Sequence, residues 1–521
     1  MKGFVAFLTV ILFFFTACAN NEARGGERVN AENYNGLAFA DDEKIINEPL
    51  EIPVKPKETL PAETVSGEAA PSESASESPS EPPSESSGEP PGESPSEPPS
   101  EPPSESPSES PSEPPSETPS ETPRSTTPEP VKTAPPDIEN PPKIEVVASD
   151  YNALNYGEVV GVWISYIELS GILTGKSEAA FRRSYGEMMD NCVSIGINTV
   201  YVHLRPFGDA LYKSGYYPWS KYVTGEVGVE PDFDPLKVML EESHGRGVSF
   251  HGWLNPMRIN SAADIEKVSR GYPVGEWYAD PAKKGKYIVK SGDYWYLNPA
   301  YGEVIGLIGN GAAEITANYD VDGIHIDDYF YPVTDGAFDA DAFGASSFAL
   351  LNSFRLYNCN SMVKTLYSAV KKGNPSALFG VSPQGNIEHN YNELYADVEK
   401  WCKSAGFADY VAPQIYYGFE HSSLPYVSCI NQWQEMLNGS GVKLITGLAV
   451  YKIGKTDGWA GAGSDEWLNS KQILKRQIEV AKGMKSYGGV VFYSYNYLFN
   501  PEHLSPLHTA EIEALKTAIN G

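Results

Sequence analysis

From about residue 157 onward, the sequence alternates regularly between short β-rich runs and helical segments. Runs of β-branched and aromatic residues with period-two alternation predict strands, and the longer stretches between them carry helical periodicity. The predicted strands are 159–167, 199–204, 248–254, 323–327, 378–382, 410–416, 443–450 and 489–495. Strands that alternate with helices in this way predict a parallel sheet of the α/β class.

Eight such units over about 360 residues predict a single (β/α)8 TIM barrel within residues 146–521. The domain exceeds the usual size of about 250 residues because of two predicted insertions, 260–296 after the third strand and 334–345 after the fourth. Both fall at the carboxyl ends of strands, the face on which barrel enzymes bind substrates. A doubly wound open sheet is disfavoured, since no Gly-x-Gly-x-x-Gly turn follows the first strand.

The amino terminus has the features of a secretion signal. A lysine precedes an apolar run from Phe4 to Ala17, which is too short for a stable membrane span. The end of this run, Phe15-Thr-Ala-Cys18, is similar to the lipobox of bacterial lipoproteins, with Phe in place of the usual Leu. We therefore expect residues 1–18 to be a signal peptide and Cys18 to carry a lipid that anchors the protein to the outside of the cell membrane. The alternative is cleavage after Ala19, which would release a secreted protein.

Two further segments separate the signal from the barrel. Residues 19–61 are predicted to be disordered, and residues 62–145 form a predicted linker rich in Pro, Ser and Glu, whose few apolar groups cannot offset the entropy of ordering. The stretch 62–130 contains 16 Glu and one Arg, so it holds half of the net charge of −30. An acidic chain without basic runs is a poor partner for nucleic acid. We also expect the protein to use no cofactor and to be a monomer.

Cys192, Cys359, Cys402 and Cys429 fall in the predicted barrel without C-x-x-C spacing. A structural zinc site is therefore not expected. One or two disulfides are compatible with an extracytoplasmic protein, but no pairing follows from the spacing. Cys192 and Cys402 lie among apolar neighbours in helical segments, which favours buried free thiols.

The stretch from Val321 to Pro332 ends in two adjacent carboxylates. Alternation places His325 and Asp327 on one side of the strand and Asp328 on the other. In a parallel barrel, inward side chains at carboxyl ends line the active site, so Asp327 is the first candidate for acid–base or nucleophilic chemistry. The alternative is that Asp327 or Asp328 caps the helix that follows.

Polar and aromatic residues lie at the ends of nearly every other predicted strand. Read singly, each can be satisfied by the backbone, but together they predict a wide pocket of hydrogen-bonding groups and flat rings, which suits sugars. The candidate substrate-binding residues are His203, Arg205, Asp209, Trp253, Asn255, His325, Gln384, Gln414, Tyr416 and Tyr451. Among them, Trp253, Tyr416 and Tyr451 are the expected stacking platforms.

These segments resemble the glycoside-hydrolase-like 10 family over residues 157–500. The motifs are Val202-His-Leu-Arg-Pro-Phe-Gly-Asp-Ala-Leu-Tyr212, His251-Gly-Trp-Leu-Asn-Pro256, Tyr296-Leu-Asn-Pro299, Gly323-Ile-His-Ile-Asp-Asp-Tyr-Phe-Tyr-Pro332, Leu394-Tyr-Ala-Asp397 and Pro413-Gln-Ile-Tyr416. The resemblance implies a barrel glycosidase of bacterial envelopes, and for some members a substrate of peptidoglycan glycan strands stripped of their peptides. The chain departs from the family pattern at Ser382-Pro-Gln-Gly-Asn386 and at Tyr417.

Two other glycosidase motifs bear on the roles of the carboxylates. Gly323-Ile-His-Ile-Asp327 is similar to the fourth-strand motif of α-amylase-type enzymes, whose Asp at that place is the nucleophile. The chitinase-type motif is also similar, but Tyr329 stands where its catalytic Glu would be, which disfavours the substrate-assisted mechanism. A second carboxyl group must then protonate the leaving oxygen. The candidates are Glu420, Glu388 and Asp328; Glu420 is favoured because apolar neighbours would raise its pKa.

Two other classes of function remain open. His203, His251 and His325 could hold a metal together with Asp327 and Asp328. Metal-dependent barrel hydrolases, however, usually carry His-x-His on the first strand, where this chain has Val162-Trp-Ile-Ser-Tyr166. The remaining class is a lipoprotein that binds glycans in the same groove without cleaving them.

Overall fold

The computed structural model describes residues 145–327 and 330–521. Its strands are β1 (Val159–Ile164), β2 (Thr199–Arg205), β3 (Ser249–Leu254), β4 (Arg258–Ser261), β5 (Ile288–Ser291), β6 (Tyr294–Leu297), β7 (Gly323–Ile326), β8 (Leu378–Val381), β9 (Tyr410–Val411), β10 (Lys443–Ala449) and β11 (Tyr487–Tyr493). Eight of these pair in parallel in the closed order β1-β2-β3-β7-β8-β9-β10-β11 and back to β1. The predicted (β/α)8 barrel is confirmed.

The helices follow the barrel strands and cover the outside of the sheet. They are α1 (Tyr166–Leu173), α2 (Glu178–Ser194), α3 (Lys221–Thr224), α4 (Pro235–His244), α5 (Pro273–Ala279), α6 (Gly302–Asn318), α7 (Ala340–Ala345), α8 (Leu351–Gly373), α9 (Ile387–Asn392), α10 (Val398–Lys403), α11 (Tyr426–Leu437), α12 (Glu466–Asn469), α13 (Ile473–Lys482), α14 (Tyr495–Phe499) and α15 (Pro506–Asn520). No helix in the described ranges is both long and apolar enough to cross a membrane.

Several helices begin where the sequence supplies a capping side chain. Asp234 accepts the Leu236 N–H at the start of α4, and Pro235 occupies the first helical position, where a missing N–H costs nothing. Ser505 caps α15 in the same way, also before a proline. These local signals fix where each helix starts, and therefore how long each connection to the barrel is.

Large polar and aromatic side chains fill the middle of the barrel. We call Trp163, Tyr201, His251, His325 and Tyr410 the interior layer. All five are buried, and their neighbouring rings lie with centroids 4.6 to 6.2 Å apart in tilted, edge-on or stacked arrangements. A barrel filled in this way is a packed core and not a channel, so any substrate site lies above it, at the carboxyl ends of the strands.

The two predicted insertions are present. The first contains β4, β5 and β6, which form a three-stranded antiparallel sheet, together with α5. The second contains α7. A third insertion, residues 450–470 between β10 and α13, was not predicted; it consists of short helical turns and loop, and we call it the β10 insertion.

The predicted signal peptide, the 19–61 segment and all but the last residue of the 62–145 linker lie outside the described residues, as does the lipidation site Cys18. Within the barrel, Cys192, Cys359, Cys402 and Cys429 are buried free thiols. The expectation for Cys192 and Cys402 is confirmed, and the four thiols form no disulfide with one another. Burial raises the pKa of the Cys402 and Cys429 thiols to about 12, so both are poor nucleophiles.

Candidate active site

Asp327 follows β7 directly and is buried at the carboxyl end of the barrel. The neighbouring strand β3 ends just before Asn255, which is fully buried. The Asn255 side-chain N–H donates to Asp327 Oδ2 over 2.6 Å. This contact fixes the orientation of the Asp327 carboxyl group, and a hydrogen bond donated to a carboxylate is one that favours its charged form.

His203 continues this contact on the next strand, β2. A backbone N–H can only donate, so the Tyr166 N–H at 3.4 Å makes His203 Nδ1 the acceptor. The proton then sits on Nε2, which donates to Asn255 Oδ1 over 2.7 Å. Burial and the positive charge of Arg258 hold the pKa of His203 well below its ordinary value, which keeps the ring neutral. The Tyr166 N–H, His203, Asn255 and Asp327 are thus joined in series by hydrogen bonds, and we call this series the carboxylate chain.

Trp253 and Arg258 enclose the carboxylate chain from one side. The rings of Trp253 and His203 are stacked 3.4 Å apart and within 10° of parallel, so one face of the predicted stacking platform is covered by protein. Arg258 lies 3.4 Å from Asn255 Oδ1 and places its guanidinium over the ring of Phe207. The residues of the carboxylate chain are therefore held by protein contacts before any substrate binds.

His325 was predicted to contact substrate, but the structure places it in the interior layer beneath Asp327. The Trp163 indole N–H donates to His325 Nε2 over 3.0 Å, so His325 Nδ1 carries the proton and faces the Tyr410 hydroxyl at 3.2 Å. The same hydroxyl lies 3.0 Å from His251 Nδ1. Burial lowers the pKa of His251 to about 4, and that of His325 well below its ordinary value. Both rings are neutral parts of the core.

Arg205 also departs from its predicted position. The pairing of β2 with β3 slips between His203 and Arg205, which aligns Arg205 with Leu254 and turns its side chain to the outside of the barrel. There the buried guanidinium lies over the ring of Tyr217, 4.5 Å from its centroid, beneath Gly311 of α6. Arg205 does not join the residues at the mouth.

Asp209 supports the loop after β2. Its carboxylate is buried and accepts the backbone N–H of Phe207 over 2.9 Å. Burial raises the pKa of Asp209, and the backbone donors oppose that shift. The structure therefore gives Asp209 a place in shaping the loop that carries Phe207, next to Arg258.

The remaining predicted residues follow β8, β9 and β10, the strands that continue the barrel beyond β7. Tyr416 and Tyr451 are buried and meet each other edge-on, and both contact the ring of Tyr493, with centroid distances of 5.8 to 6.1 Å. Gln414 donates from Nε2 to the Ser382 carbonyl at 3.3 Å and pairs through its backbone with Gln384. These side chains form an aromatic and amide wall across from the carboxylate chain.

The predicted proton donors do not lie in an apolar pocket. Glu420 and Glu388 are both solvent-exposed, the first in the loop after β9 and the second in the first turn of α9. The Glu420 backbone N–H donates to Glu466 of the β10 insertion over 2.8 Å, a contact that no local pattern predicts. The prediction that Glu420 has apolar surroundings is therefore wrong. Asp328 lies outside the described residues.

Glu168 of α1 is a buried carboxylate at this end of the barrel that sequence reasoning missed. It accepts the Ser165 backbone N–H, the Ser494 hydroxyl and the Asn496 backbone N–H, and burial raises its pKa. The Ser-x-x-Glu spacing of a capping box was the available signal. With three donors already on its two oxygens, Glu168 ties the end of β1 to the end of β11.

Three or more His, Cys, Asp or Glu side chains are nowhere grouped as a metal site in residues 145–327 and 330–521. The three histidines of the metal hypothesis each face protein partners: Asn255 for His203 and Tyr410 for His251 and His325.

Residues 158–460 match the family model described as Glycosyl hydrolase-like 10. The chain belongs to this family. Glycosyl hydrolase YngK of Bacillus subtilis strain 168 is 32% identical over 357 residues, which cover 64% of this chain and 68% of that protein. Glycosyl hydrolase DigH of Escherichia coli strain K12 is 30% identical over 342 residues, covering 61% and 76%. Family membership makes this barrel a glycoside hydrolase, as the motifs predicted.

Among solved structures, the glycoside hydrolase domain of PgaB from Bordetella bronchiseptica aligns with 69% of this chain and 99% of its own, at 14% identity and a TM-score of 0.44. At that level of similarity the comparison adds nothing to the family assignment.

Proposed function

We propose that this protein hydrolyses glycosidic bonds of a cell-envelope polysaccharide, with Asp327 as the nucleophile or base. The observation that carries the proposal is the 2.6 Å bond from Asn255 to Asp327 Oδ2, fixed from behind by the neutral His203. A carboxylate that is buried, oriented and stabilised as an anion is suited to attack an anomeric carbon or to take a proton from water. It is poorly suited to donate one.

The proposed reaction needs a second carboxyl group, which gives its proton to the leaving oxygen as the glycosidic bond breaks. If Asp327 attacks the sugar directly, a covalent intermediate forms and water later releases it with retained configuration. If Asp327 instead deprotonates water, the configuration inverts, and the two carboxyl groups stand farther apart, about 6.5 to 9.5 Å against about 5 to 5.5 Å. Asp328, Glu388 and Glu420 remain the candidates for the acid.

We propose peptide-stripped peptidoglycan glycan strands as the substrate. Three things support this choice: membership of the family, the aromatic and amide wall opposite Asp327, and an amino terminus with the pattern of a lipid anchor. Behind that anchor, a linker of some 70 residues in extended polyproline form would span about 200 Å, enough to reach into a thick wall.

The first test is mass spectrometry of the soluble products after the full-length chain is incubated with purified peptidoglycan, both intact and peptide-stripped. Wild type should release sugar fragments from the stripped strands, Asp327→Asn should release none, and Asp190→Asn, a surface carboxylate paired with Arg246, should match wild type. Binding of the strands by wild type without any release would instead support the glycan-binding alternative. Release by Asp327→Asn at the wild-type rate would overturn the assigned role.

The acid is identified by the pH profile of kcat/KM for Asp328→Asn, Glu388→Gln and Glu420→Gln. A general acid must be protonated to work, so its loss should remove the fall in rate on the alkaline side and leave the rise on the acid side. A variant that keeps both limbs does not carry the acid. If all three keep both limbs, a fourth carboxyl group must do so.

We also propose that the protein is held outside the cytoplasm by a lipid on Cys18. Cys18→Ala should block lipid attachment, so that the protein no longer partitions with membranes in detergent phase separation and no longer incorporates labelled fatty acid. Equal partitioning and no label in the wild type would favour the secreted alternative.

A further inference from the structure

The β10 insertion presents an exposed tryptophan at the carboxyl end of the barrel. Trp459 is 40% exposed, whereas the other tryptophans of the described residues are buried. It follows β10 in the chain, so it belongs to the face on which Asp327 lies. Single exposed apolar side chains are common, but an indole on this face offers a large flat surface to a ligand.

A buried ion pair holds the loop that carries Trp459. Lys452 Nζ lies 2.9 Å from Asp457 Oδ2, and both side chains are almost fully buried. The other oxygen of Asp457 accepts the backbone N–H of Trp459 over 3.2 Å. Burying two charges carries a large desolvation cost, so such pairs are a weak source of stability and a stronger source of fixed geometry.

The same lysine connects the loop to the mouth of the barrel. Lys452 Nζ also donates to the Tyr416 carbonyl over 2.9 Å, and Tyr416 is part of the aromatic wall opposite Asp327. A second attachment runs through Ser422 of the loop after β9, whose hydroxyl donates to the Ala460 carbonyl and accepts the Ala462 N–H. Trp459 is thus fixed relative to the wall from both sides.

We propose that Trp459 forms an outer sugar-binding subsite, on which one pyranose ring of the glycan stacks away from the cleaved bond. A pyranose presents an apolar C–H face to an aromatic ring while its hydroxyls stay in water, and an exposed indole on a fixed loop matches that chemistry. Lys452 and Asp457 act as positioning residues. The inference rests on the proposed glycosidase function and assigns a residue that makes long chains better substrates than short ones.

The test compares Trp459→Ala with the full-length wild type on peptide-stripped glycan strands sorted by length. Loss of about 60 Å² of buried apolar ring contact should raise KM for long strands roughly tenfold. kcat should stay within about twofold, and the shortest cleavable strands should be unaffected. Leu468→Ala removes an equally exposed apolar side chain, 45% exposed, from the same insertion and is the matched control.

Binding is read separately in the Asp327→Asn background, where strands cannot be cut. Adding long strands should shift the indole emission, Trp459→Phe should remove the part of the shift that long strands show beyond the shortest cleavable ones, and Asp457→Asn should weaken that part by loosening the loop. Wild-type cleavage with the same length preference in Trp459→Ala would overturn the subsite and leave the proposed function standing. Neither cleavage nor binding by wild type would overturn both.

Discussion

Replacing Asn255 with Leu tests whether the carboxylate chain serves catalysis. The substitution keeps the volume but removes the donor to Asp327 Oδ2 at 2.6 Å and the acceptor for His203 at 2.7 Å. A hydrogen bond to a charged group contributes about 1.5 to 3 kcal/mol, so kcat on peptide-stripped strands should fall about 10- to 150-fold. KM should change little, since the bond orients the reacting carboxylate and does not hold the sugar.

The matched control is Asn360→Leu. Like Asn255, Asn360 is a buried amide between a ring N–H donor and a carboxylate: it accepts from the Trp401 indole over 2.6 Å and donates to Asp397 over 3.2 Å, but at the outer helices α8 and α10. Each variant leaves buried groups without partners, so both should lose about 1 to 3 kcal/mol of unfolding free energy in urea titrations. Only Asn255→Leu should lose kcat. Equal kcat in the two variants would refute the catalytic role proposed for the carboxylate chain.

Two further predictions concern stability. Burial lowers the pKa of His251 in the folded state from 6.5 to about 4. As pH falls, the unfolded chain therefore takes up this proton before the folded protein does. The contribution of His251 to the free energy of unfolding is complete above pH 6.5 and is lost toward pH 4. Between pH 7 and 4.5, the free energy of unfolding measured in urea should fall by about 2 to 3 kcal/mol less in His251→Gln than in wild type. An equal fall in both would contradict the lowered pKa of His251. Arg355→Met should lose about 3 to 5 kcal/mol in the same assay, because it leaves Asp339 as a buried, unpaired charge and frees the Thr334 carbonyl. Arg182→Met, which breaks a surface cluster, should cost less than about 1 kcal/mol, and a similar loss in both variants would show that burial is not the cause.

The strand pattern was enough to predict the barrel, because alternation of strand and helix admits few other topologies. It was also enough to bring Asp327, Asn255 and His203 to the same end of the barrel, since each lies at the carboxyl end of its strand. The adjacency of β3 and β7 also follows from that prediction, because they are the third and fourth predicted barrel strands and β4 to β6 fall largely within the predicted insertion between them. The individual hydrogen bonds between these side chains were not predicted.

Arg205 shows where period-two alternation fails. Two residues after the inward-facing His203, alternation predicts that Arg205 also faces inward. The slip in pairing with β3 inserts one extra residue and places Arg205, the last residue of β2, on the outer face. A bulge of this kind depends on how two strands meet across the sheet, so no local pattern in β2 announces it.

For His325, the strand pattern predicted correctly that the side chain faces the inside of the barrel. It did not predict that His325 lies below the mouth, in the interior layer. His325 and Asp327 are two residues apart on the same face of β7, about 6 to 7 Å along the strand. That distance separates the interior layer, in which His325 Nε2 accepts the Trp163 N–H, from the level of the mouth, at which Asp327 accepts from Asn255. One ring nitrogen of His325 accepts the Trp163 N–H and one of His203 accepts the Tyr166 N–H, so both rings are neutral, and the N–H that each retains is too weakly acidic to protonate a leaving oxygen. Under the proposed mechanism the proton for the leaving sugar therefore comes from a carboxyl group, and the acid should be sought among Asp328, Glu388 and Glu420 and not among the histidines of the strand motif.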